Sequence, residues 1–153
     1  MTETDQLTPT SGFFKGNEHF LPIRVYYEDT DALAMVYHAN FLKYMERGRT
    51  EFLRLLGIFN RELANRKDGM TWAVASSTIQ YMASAWPDDA IVVISRVARL
   101  GAASVTIDQD IKRGDEFLTK GSIRVGCMNA EGRPRRMPND LKEKFKTFNE
   151  QLK

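Results

Sequence analysis

The feature that most limits the fold of this chain is a run of four long β-type segments in its second half. The segments cover residues 70–84, 90–100, 102–112 and 116–128. In the third segment, Val105, Ile107 and Ile111 alternate with polar residues, so one face of the sheet is expected to be buried. Turns of a few residues join antiparallel neighbours. The sequence therefore predicts an antiparallel sheet.

One amphipathic helix precedes this sheet. Phe41, Met45 and Phe52 recur at helical spacing, which predicts an apolar stripe that faces the strands. Gly48 lies inside the stripe, where the missing side chain permits close approach to another backbone. Gly57 stands where a residue in the left-handed conformation commonly ends a helix. We expect one long helix packed against the sheet.

The remaining segments complete an α+β domain. Residues 21–27 predict a strand, and residues 60–66 predict a short helix. Asn139 or Asp140 is suited to begin a small C-terminal helix, which is expected to be peripheral. The predicted order is a strand, a long helix and four long strands, which is typical of an α+β fold.

The chain is expected to have one domain and more than one subunit. Residues 1–19 predict a flexible N-terminal tail, and residues 20–153 form a domain of ordinary length. A single helix covers only part of one face, whereas some predicted strands carry apolar residues on both faces. A second subunit would cover the rest, so a homodimer or a homotetramer is expected.

Charge and composition exclude several classes of protein. Lys and Arg number 22 against 20 for Asp and Glu, a surplus too small to hold a nucleic-acid backbone across an extended face. No stretch has the roughly 20 apolar residues of a transmembrane helix, and the first residues lack a secretory signal pattern. Cys127 is the only cysteine, which excludes an internal disulfide bond. A cytoplasmic protein is expected.

The segment between the first predicted strand and the long helix concentrates ionisable residues. They are Glu28, Asp29, Asp31, Tyr37 and His38. A loop before a helix is a natural catalytic site, because the first-turn N–H groups are unpaired and carry partial positive charge. Two other interpretations remain open from the residues alone. The acids can serve only as turn formers, or Glu28, Asp31 and His38 can bind a metal, although their spacing matches no recognised ligand pattern.

Two motifs in residues 26–57 carry a family resemblance. They read YYEDTD and VYHANFLKYMERGRTEFLRLLG. The region resembles the signature of the 4-hydroxybenzoyl-CoA thioesterase family, and it is most similar to the branch of bacterial acyl-CoA thioesterases associated with the Tol-Pal envelope system. The resemblance implies a hotdog fold, in which an antiparallel sheet wraps a long central helix. It also implies hydrolysis of an acyl-CoA to the free acid and coenzyme A.

The resemblance further implies roles for individual residues. Asp31 would be the essential carboxylate, acting either as nucleophile or as general base. The amide of His38 or its neighbour would polarise the thioester carbonyl. The side chains of His38 and Tyr27 are further catalytic candidates, and Tyr37 is a substrate-binding candidate. No metal and no organic cofactor is implied, since coenzyme A is part of the substrate.

The phosphates of coenzyme A require cations. The candidates are basic residues in predicted loops, namely Lys112, Arg113, Arg133, Arg135 and Arg136. An acyl carrier protein or an envelope complex is a further candidate partner. Two other functions remain open, a non-catalytic protein that binds acyl thioesters and a hotdog hydratase or dehydratase.

Two residues near the acidic turn of residues 28–31 depart from the family pattern. Ala34 stands where the family usually has glycine, and Leu33 stands where a glycine or alanine is common. If residue 34 must adopt a positive φ, alanine would be strained there. The loop also carries more side chain at the mouth of the expected site.

Overall fold

The computed structural model describes residues 1–150, which contain six strands in one antiparallel sheet. The strands are β1 (Phe13–Lys15), β2 (Glu18–Arg24), β3 (Thr71–Tyr81), β4 (Ala90–Leu100), β5 (Ser104–Arg113) and β6 (Glu116–Met128). The helices are α1 (Glu3–Leu7), α2 (His38–Leu55), α3 (Asn60–Ala64) and α4 (Asn139–Glu150). The strands lie in the order β1-β2-β4-β5-β6-β3. The α+β class and the four long strands are confirmed. No helix in this range is both long and apolar enough to cross a bilayer.

Burial along β5 follows the predicted alternation. Val105, Ile107 and Ile111 are buried, whereas Thr106, Asp108 and Asp110 are only partly buried. Gln109 lies on the same face and is also fully buried. A polar side chain inside a core needs hydrogen-bond partners. The partners of Gln109 come from β4 and from the long helix.

The long helix α2 packs onto the sheet at Gly48, as its position in the apolar stripe predicts. A Cβ atom on this residue would lie 2.6 Å from Val93 Cγ1 and 3.0 Å from Gln109 Nε2. Gln109 donates to the Met45 carbonyl at 2.8 Å and to the Ser95 hydroxyl at 2.9 Å. Close contact and hydrogen bonds therefore hold α2 against β4 and β5. This is the helix-on-sheet arrangement that the hotdog resemblance implies.

The N-terminal region differs from the flexible tail that residues 1–19 predict. β1 pairs with β2, so the sheet begins well inside that range. The rings of Phe13 and Phe20 stack at 5.3 Å. His19 is fully buried, and its Nε2 lies 2.7 Å from the Ser11 carbonyl oxygen. A strand of three residues is too short to leave a detectable period in the sequence.

The C-terminal helix α4 belongs to the core and is not the peripheral helix that was expected. Its apolar residues are all buried, namely Leu141, Phe145 and Phe148. The Phe148 ring lies 5.2 Å from the Phe52 ring of α2. Lys144 donates to the Gly57 carbonyl at 2.8 Å. Gly57 has φ +80° and follows Leu56, the C-cap residue of α2, which confirms its predicted conformation.

Strand β3 forms one edge of the sheet and pairs only with β6 within residues 1–150. Most of its side chains are exposed, including the apolar Val74 at 55%. A long edge with free N–H and C=O groups is a ready site for pairing with another strand. β3 therefore presents an edge whose backbone groups are unpaired within residues 1–150.

We predict that Gly48→Ala lowers the free energy of unfolding by about 2 kcal/mol. The new methyl group would overlap Val93 and displace Gln109, and this overpacking outweighs a gain of about 1 kcal/mol in helix propensity. Denaturant unfolding measures the effect. Gly126→Ala is the matched control, since a Cβ atom there meets nothing closer than 3.7 Å. Equal stability of the two variants would contradict the close packing of α2.

We predict that His19 makes folding sensitive to mild acid. Burial lowers the pKa of His19 below its ordinary value of 6.5, so unfolding takes up a proton in mildly acidic solution. The stabilising contribution is complete above about pH 6.5 and is lost as the pH falls through that value towards the folded-state pKa. Unfolding curves from pH 7.5 to 5 should show a shallower decline for His19→Gln than for the wild type. Equal slopes for His19→Gln and the wild type would refute the assignment.

Candidate active site

The loop between β2 and α2 is fastened to the connection between β3 and β4. The Val25 N–H donates to the Asp89 carbonyl at 2.9 Å, and the Val36 N–H donates to the Ala85 carbonyl at 2.9 Å. Val25, Val36 and Ala85 are buried. Both ends of the loop are therefore anchored in the core, while the residues between them reach the surface.

Asp31 opens a tight turn inside this loop. Its N–H donates to the Met35 carbonyl at 2.9 Å, and its carbonyl accepts the Ala34 N–H at 2.9 Å. Its carboxylate accepts the Leu33 N–H at 2.8 Å. The Asp31 side chain is half-buried. These bonds fix the carboxylate to a turn that ends at Met35, three residues before α2.

The first turn of α2 exposes unpaired amides next to this loop. The helix begins at His38, and Tyr37 precedes it in an extended conformation. Within residues 1–150, the N–H groups of His38 and Ala39 have no acceptor. Their partial positive charge adds to the helix dipole, so this end of α2 favours an oxyanion.

Aromatic rings surround the start of α2. The ring of His38 lies 4.6 Å from that of Tyr37 and 6.0 Å from that of Tyr81, at the end of β3. Tyr27 lies in a short 3-10 turn, and its side chain is 89% exposed. The structure thus brings His38 and Tyr37 together at the helix start, whereas the Tyr27 phenol faces solvent in the single chain.

Two of the predicted phosphate-binding arginines already have acidic partners. Arg113 bonds to Asp89 at 2.6 Å and to Glu116 at 2.7 Å. Arg135 pairs with Asp68 at 3.0 Å and also donates to the Gly69 carbonyl at 3.2 Å. Their charges are largely neutralised within the chain. The carboxylates that neutralise them lie far away in the sequence, except for Glu116.

The remaining basic candidates are split between the two ends of the sheet. Lys112 lies over the Phe117 ring at 4.7 Å, near the β5–β6 turn. Arg133 and Arg136 are exposed in the loop after β6. That loop adjoins the start of β3, and His38 adjoins its end, so roughly 30 Å separates them along the strand. One chain therefore does not bring these arginines to the candidate site.

A cavity of about 510 Å³ runs along α2 beside β3. Its walls are mainly apolar and include Leu42, Leu53, Trp72, Val74 and Ile107. It also contains Glu46 and Arg49 of α2. Leu42 is four residues after His38, so the cavity begins roughly 6 Å along the helix from the unpaired amides. The space can accept an elongated, largely apolar group.

The site has neither a metal-ligand cluster nor a reactive thiol among the described residues. Within residues 1–150, no three His, Cys, Asp or Glu side chains converge in a way that could hold a metal ion, so Glu28, Asp31 and His38 do not form such a group. Cys127 is buried, and burial raises the pKa of its thiol to about 11. A thiol of this kind is a poor nucleophile near neutral pH.

Sequence reasoning did not single out Asn40, which joins α2 to the acidic loop, the segment of residues 25–37 between β2 and α2. Its side-chain amide donates to the Asp29 carbonyl at 2.7 Å. Arg49, in the cavity wall, was also overlooked as a site residue, and its guanidinium donates to Gln109 Oε1 at 2.9 Å. A weak signal existed for Asn40 only, because Asn side chains near a helix start often bond to the preceding backbone.

Comparisons with known proteins agree with this description. The thioesterase-like superfamily matches residues 25–145. The acyl-CoA thioesterase YbgC of Haemophilus influenzae is 34% identical over 130 residues, which are 84% of this chain and 95% of that protein. The acyl-CoA thioester hydrolase YbgC of Escherichia coli O6:H1 is 32% identical over 127 residues, which are 82% and 93%. A solved probable thioesterase from Bartonella henselae has a TM-score of 0.77 at 35% identity and covers 79% of this chain and 99% of that one.

We predict that Ala34→Gly stabilises the protein by about 1 kcal/mol. Ala34 has φ +61°, a left-handed conformation that costs a residue with a Cβ atom roughly 1 kcal/mol more than glycine. Thermal or denaturant unfolding measures the gain. Ala32→Gly is the control, since its φ is not positive and only the added backbone freedom should act there. A loss of stability in Ala34→Gly would contradict the strain.

Proposed function

This chain belongs to the thioesterase-like superfamily, and we propose that it hydrolyses acyl-CoA thioesters to the free acid and coenzyme A. The two relatives described above, which match 84% and 82% of this chain, are named acyl-CoA thioesterase and acyl-CoA thioester hydrolase. One observation within the molecule supports the proposal above the others. Asp31 opens the turn that leads directly to the unpaired amides at the start of α2.

The carbonyl oxygen of the thioester is proposed to bind at the N–H groups of His38 and Ala39. These amides have no other acceptor among the described residues, so they are free to bind a ligand. Negative charge grows on the carbonyl oxygen as a nucleophile adds, and fixed donors stabilise it most at that stage. The helix dipole of α2 acts in the same direction.

The Asp31 carboxylate is proposed to start the reaction by one of two routes. It either adds directly to the carbonyl carbon, forming an anhydride that water then hydrolyses, or it removes a proton from a water molecule that adds instead. Either way the C–S bond breaks, and the sulfur leaves as the thiolate of coenzyme A, which takes up a proton. The side chains of His38 and Tyr27 are proposed to orient water or substrate. The reaction requires only water, so no metal or organic cofactor is proposed.

The acyl group is proposed to lie in the cavity along α2. Its apolar walls suit a hydrocarbon chain or an aromatic ring, and its near end lies about one helical turn from His38. Tyr37 directly precedes α2, and Leu33 lies in the loop before it with its side chain 70% exposed. Leu33 is bulkier than the glycine or alanine that is common at this position in the family, so it is proposed to narrow the path by which the substrate reaches the cavity.

A second copy of the chain is proposed to complete the site. β3 leaves one edge unpaired within residues 1–150, and the cavity lies beside that edge. Arg133 and Arg136 are remote from His38 in their own chain, so they could hold the coenzyme A phosphates only for a neighbouring subunit. Lys112 remains a candidate for the same purpose, whereas acidic partners within the chain largely neutralise Arg113 and Arg135. A homodimer, or a tetramer of two dimers, is therefore proposed.

A cytoplasmic location is part of this proposal, because coenzyme A thioesters are cytoplasmic metabolites. The single thiol, Cys127, is buried and free, which suits a reducing compartment. An acyl carrier protein in place of coenzyme A, or an envelope complex as a partner, would alter the outer contacts but not the chemistry at Asp31.

We predict that Asp31→Asn lowers kcat at least 100-fold while the protein stays folded. The amide of asparagine neither accepts a proton nor attacks a thioester at a useful rate. Thiol release from a panel of acyl-CoAs, together with circular dichroism, measures this. Asp115→Asn, at an exposed turn residue, is the matched control and should keep wild-type turnover.

Turnover of Asp31→Asn within threefold of the wild type would refute the role of Asp31. A wild-type protein that binds acyl-CoA but releases no thiol would instead support a non-catalytic binding protein. Hydration of an enoyl-CoA without thiol release would support a hydratase.

A further inference from the structure

α2 begins without the side-chain cap that usually closes a helix start. Tyr37 occupies the N-cap position and makes no side-chain hydrogen bond to the first turn. Ser, Thr, Asp and Asn are preferred at this position, because their side-chain oxygen accepts a first-turn N–H. Some other contact must therefore fix the position at which the helix begins.

The carbonyl oxygen of Asp29 provides this contact. It accepts the Tyr37 N–H at 3.0 Å and the Asn40 side-chain amide at 2.7 Å. Asp29 is itself fixed, since its carboxylate accepts the Tyr26 N–H at 2.8 Å. Two donors from the helix start thus converge on one oxygen, which lies two residues before Asp31.

The surroundings shield this contact from solvent. Tyr44 lies one helical turn after Asn40 and is fully buried. Burial and the neighbouring Asp29 carboxylate raise the pKa of the Tyr44 phenol above its ordinary range, so its hydroxyl stays protonated. Asn40 itself is partly buried. Water therefore has limited access to replace the Asn40 hydrogen bond if that bond is removed.

We propose that Asn40 is a positioning residue for thioester hydrolysis, an inference that rests on the function proposed above. Its amide ties the first turn of α2 to Asp29, and Asp29 is covalently joined through Thr30 to Asp31. The His38 and Ala39 amides therefore keep a fixed separation from the Asp31 carboxylate. Asn40 acts through the backbone and does not touch the reacting atoms.

The cost of losing this contact should appear mainly in the chemical step. A misplacement of about 1 Å between reacting groups can reduce a rate on the order of 100-fold. Substrate binding depends mostly on the cavity walls, which Asn40 does not line. The inference therefore predicts a large fall in kcat with little change in KM.

Asn40→Asp separates positioning from simple stabilisation of the fold. Aspartate has nearly the same shape as asparagine but, when ionised, no N–H to donate, and it repels the Asp29 carbonyl oxygen. At the third position of a helix, a carboxylate interacts favourably with the helix dipole. The variant should therefore keep its overall stability while it loses the hydrogen bond from residue 40 to the Asp29 carbonyl.

The experiment compares the wild type, Asn40→Asp and Asn40→Ala, with Asn65→Ala as control. Asn65 is exposed and lies directly after α3, away from the start of α2. Thiol release is measured with acetyl-, octanoyl- and 4-hydroxybenzoyl-CoA, together with melting temperature and hydrogen exchange at residues 36–41. We expect Asn40→Asp to lower kcat about 10- to 100-fold, with KM within threefold and the melting temperature within about 4 °C of the wild type. Exchange at residues 36–41 should become faster, and Asn65→Ala should match the wild type.

A kcat for Asn40→Asp within twofold of the wild type would overturn the inference. So would a fall in kcat accompanied by a melting temperature more than about 10 °C lower, which would mark Asn40 as a residue for stability alone. If the wild type releases no thiol, the proposed function fails. Hydrogen exchange then still tests whether the hydrogen bond from Asn40 to the Asp29 carbonyl holds the helix start. Unchanged exchange at residues 36–41 in Asn40→Asp would reject that role.

Discussion

The close contact between α2 and the sheet at Gly48 is the constraint on which the rest of the molecule depends. A side chain there would overlap Val93, so only glycine lets the helix axis approach β4 and β5 this closely. Gln109 then reaches the Met45 carbonyl and binds Arg49 from inside the core. The position of the helix fixes the position of its first turn, and the unpaired amides are located there.

Hydrogen bonds to backbone carbonyl groups fix the position of the acidic loop relative to the first turn of α2. Val25 and Val36 fasten its ends to the connection between β3 and β4, while Asp29 receives donors from the start of α2. The strained Ala34 lies in the middle of this loop, with φ +61°. Strain of this kind persists only where surrounding contacts hold the chain in place. The loop is therefore a rigid part of the candidate site, and its outer side chains remain free to meet a substrate or a second subunit.

Patterns of local origin could be predicted from the sequence. The stripe of α2 and the alternation on β5 arise from burial of one face, so their periods can be read directly. The positive φ of Gly57 was predicted from its place after the helix, whereas the positive φ of Ala34 was a conditional expectation that depended on the family resemblance. The hairpin of β1 and β2 was missed because it is short, and the burial of α4 was missed because its partner Phe52 lies in α2. The charges of Arg113 and Arg135 could be read from the sequence, but their acidic partners could not. Arg113 pairs with Asp89 and Arg135 pairs with Asp68, and both partners are distant in the sequence.

For function, the linear order of residues was enough to identify the acidic loop, the long helix after it and the family, because motif and periodicity are local properties of the chain. The spatial relations within the site were not accessible in the same way. Asn40 meets Asp29 across eleven positions, and Gln109 meets Met45 across 64. Such contacts form when the helix is pressed onto a sheet assembled from distant strands. Hydrophobic packing of the whole domain sets those distances, and no segment carries them alone.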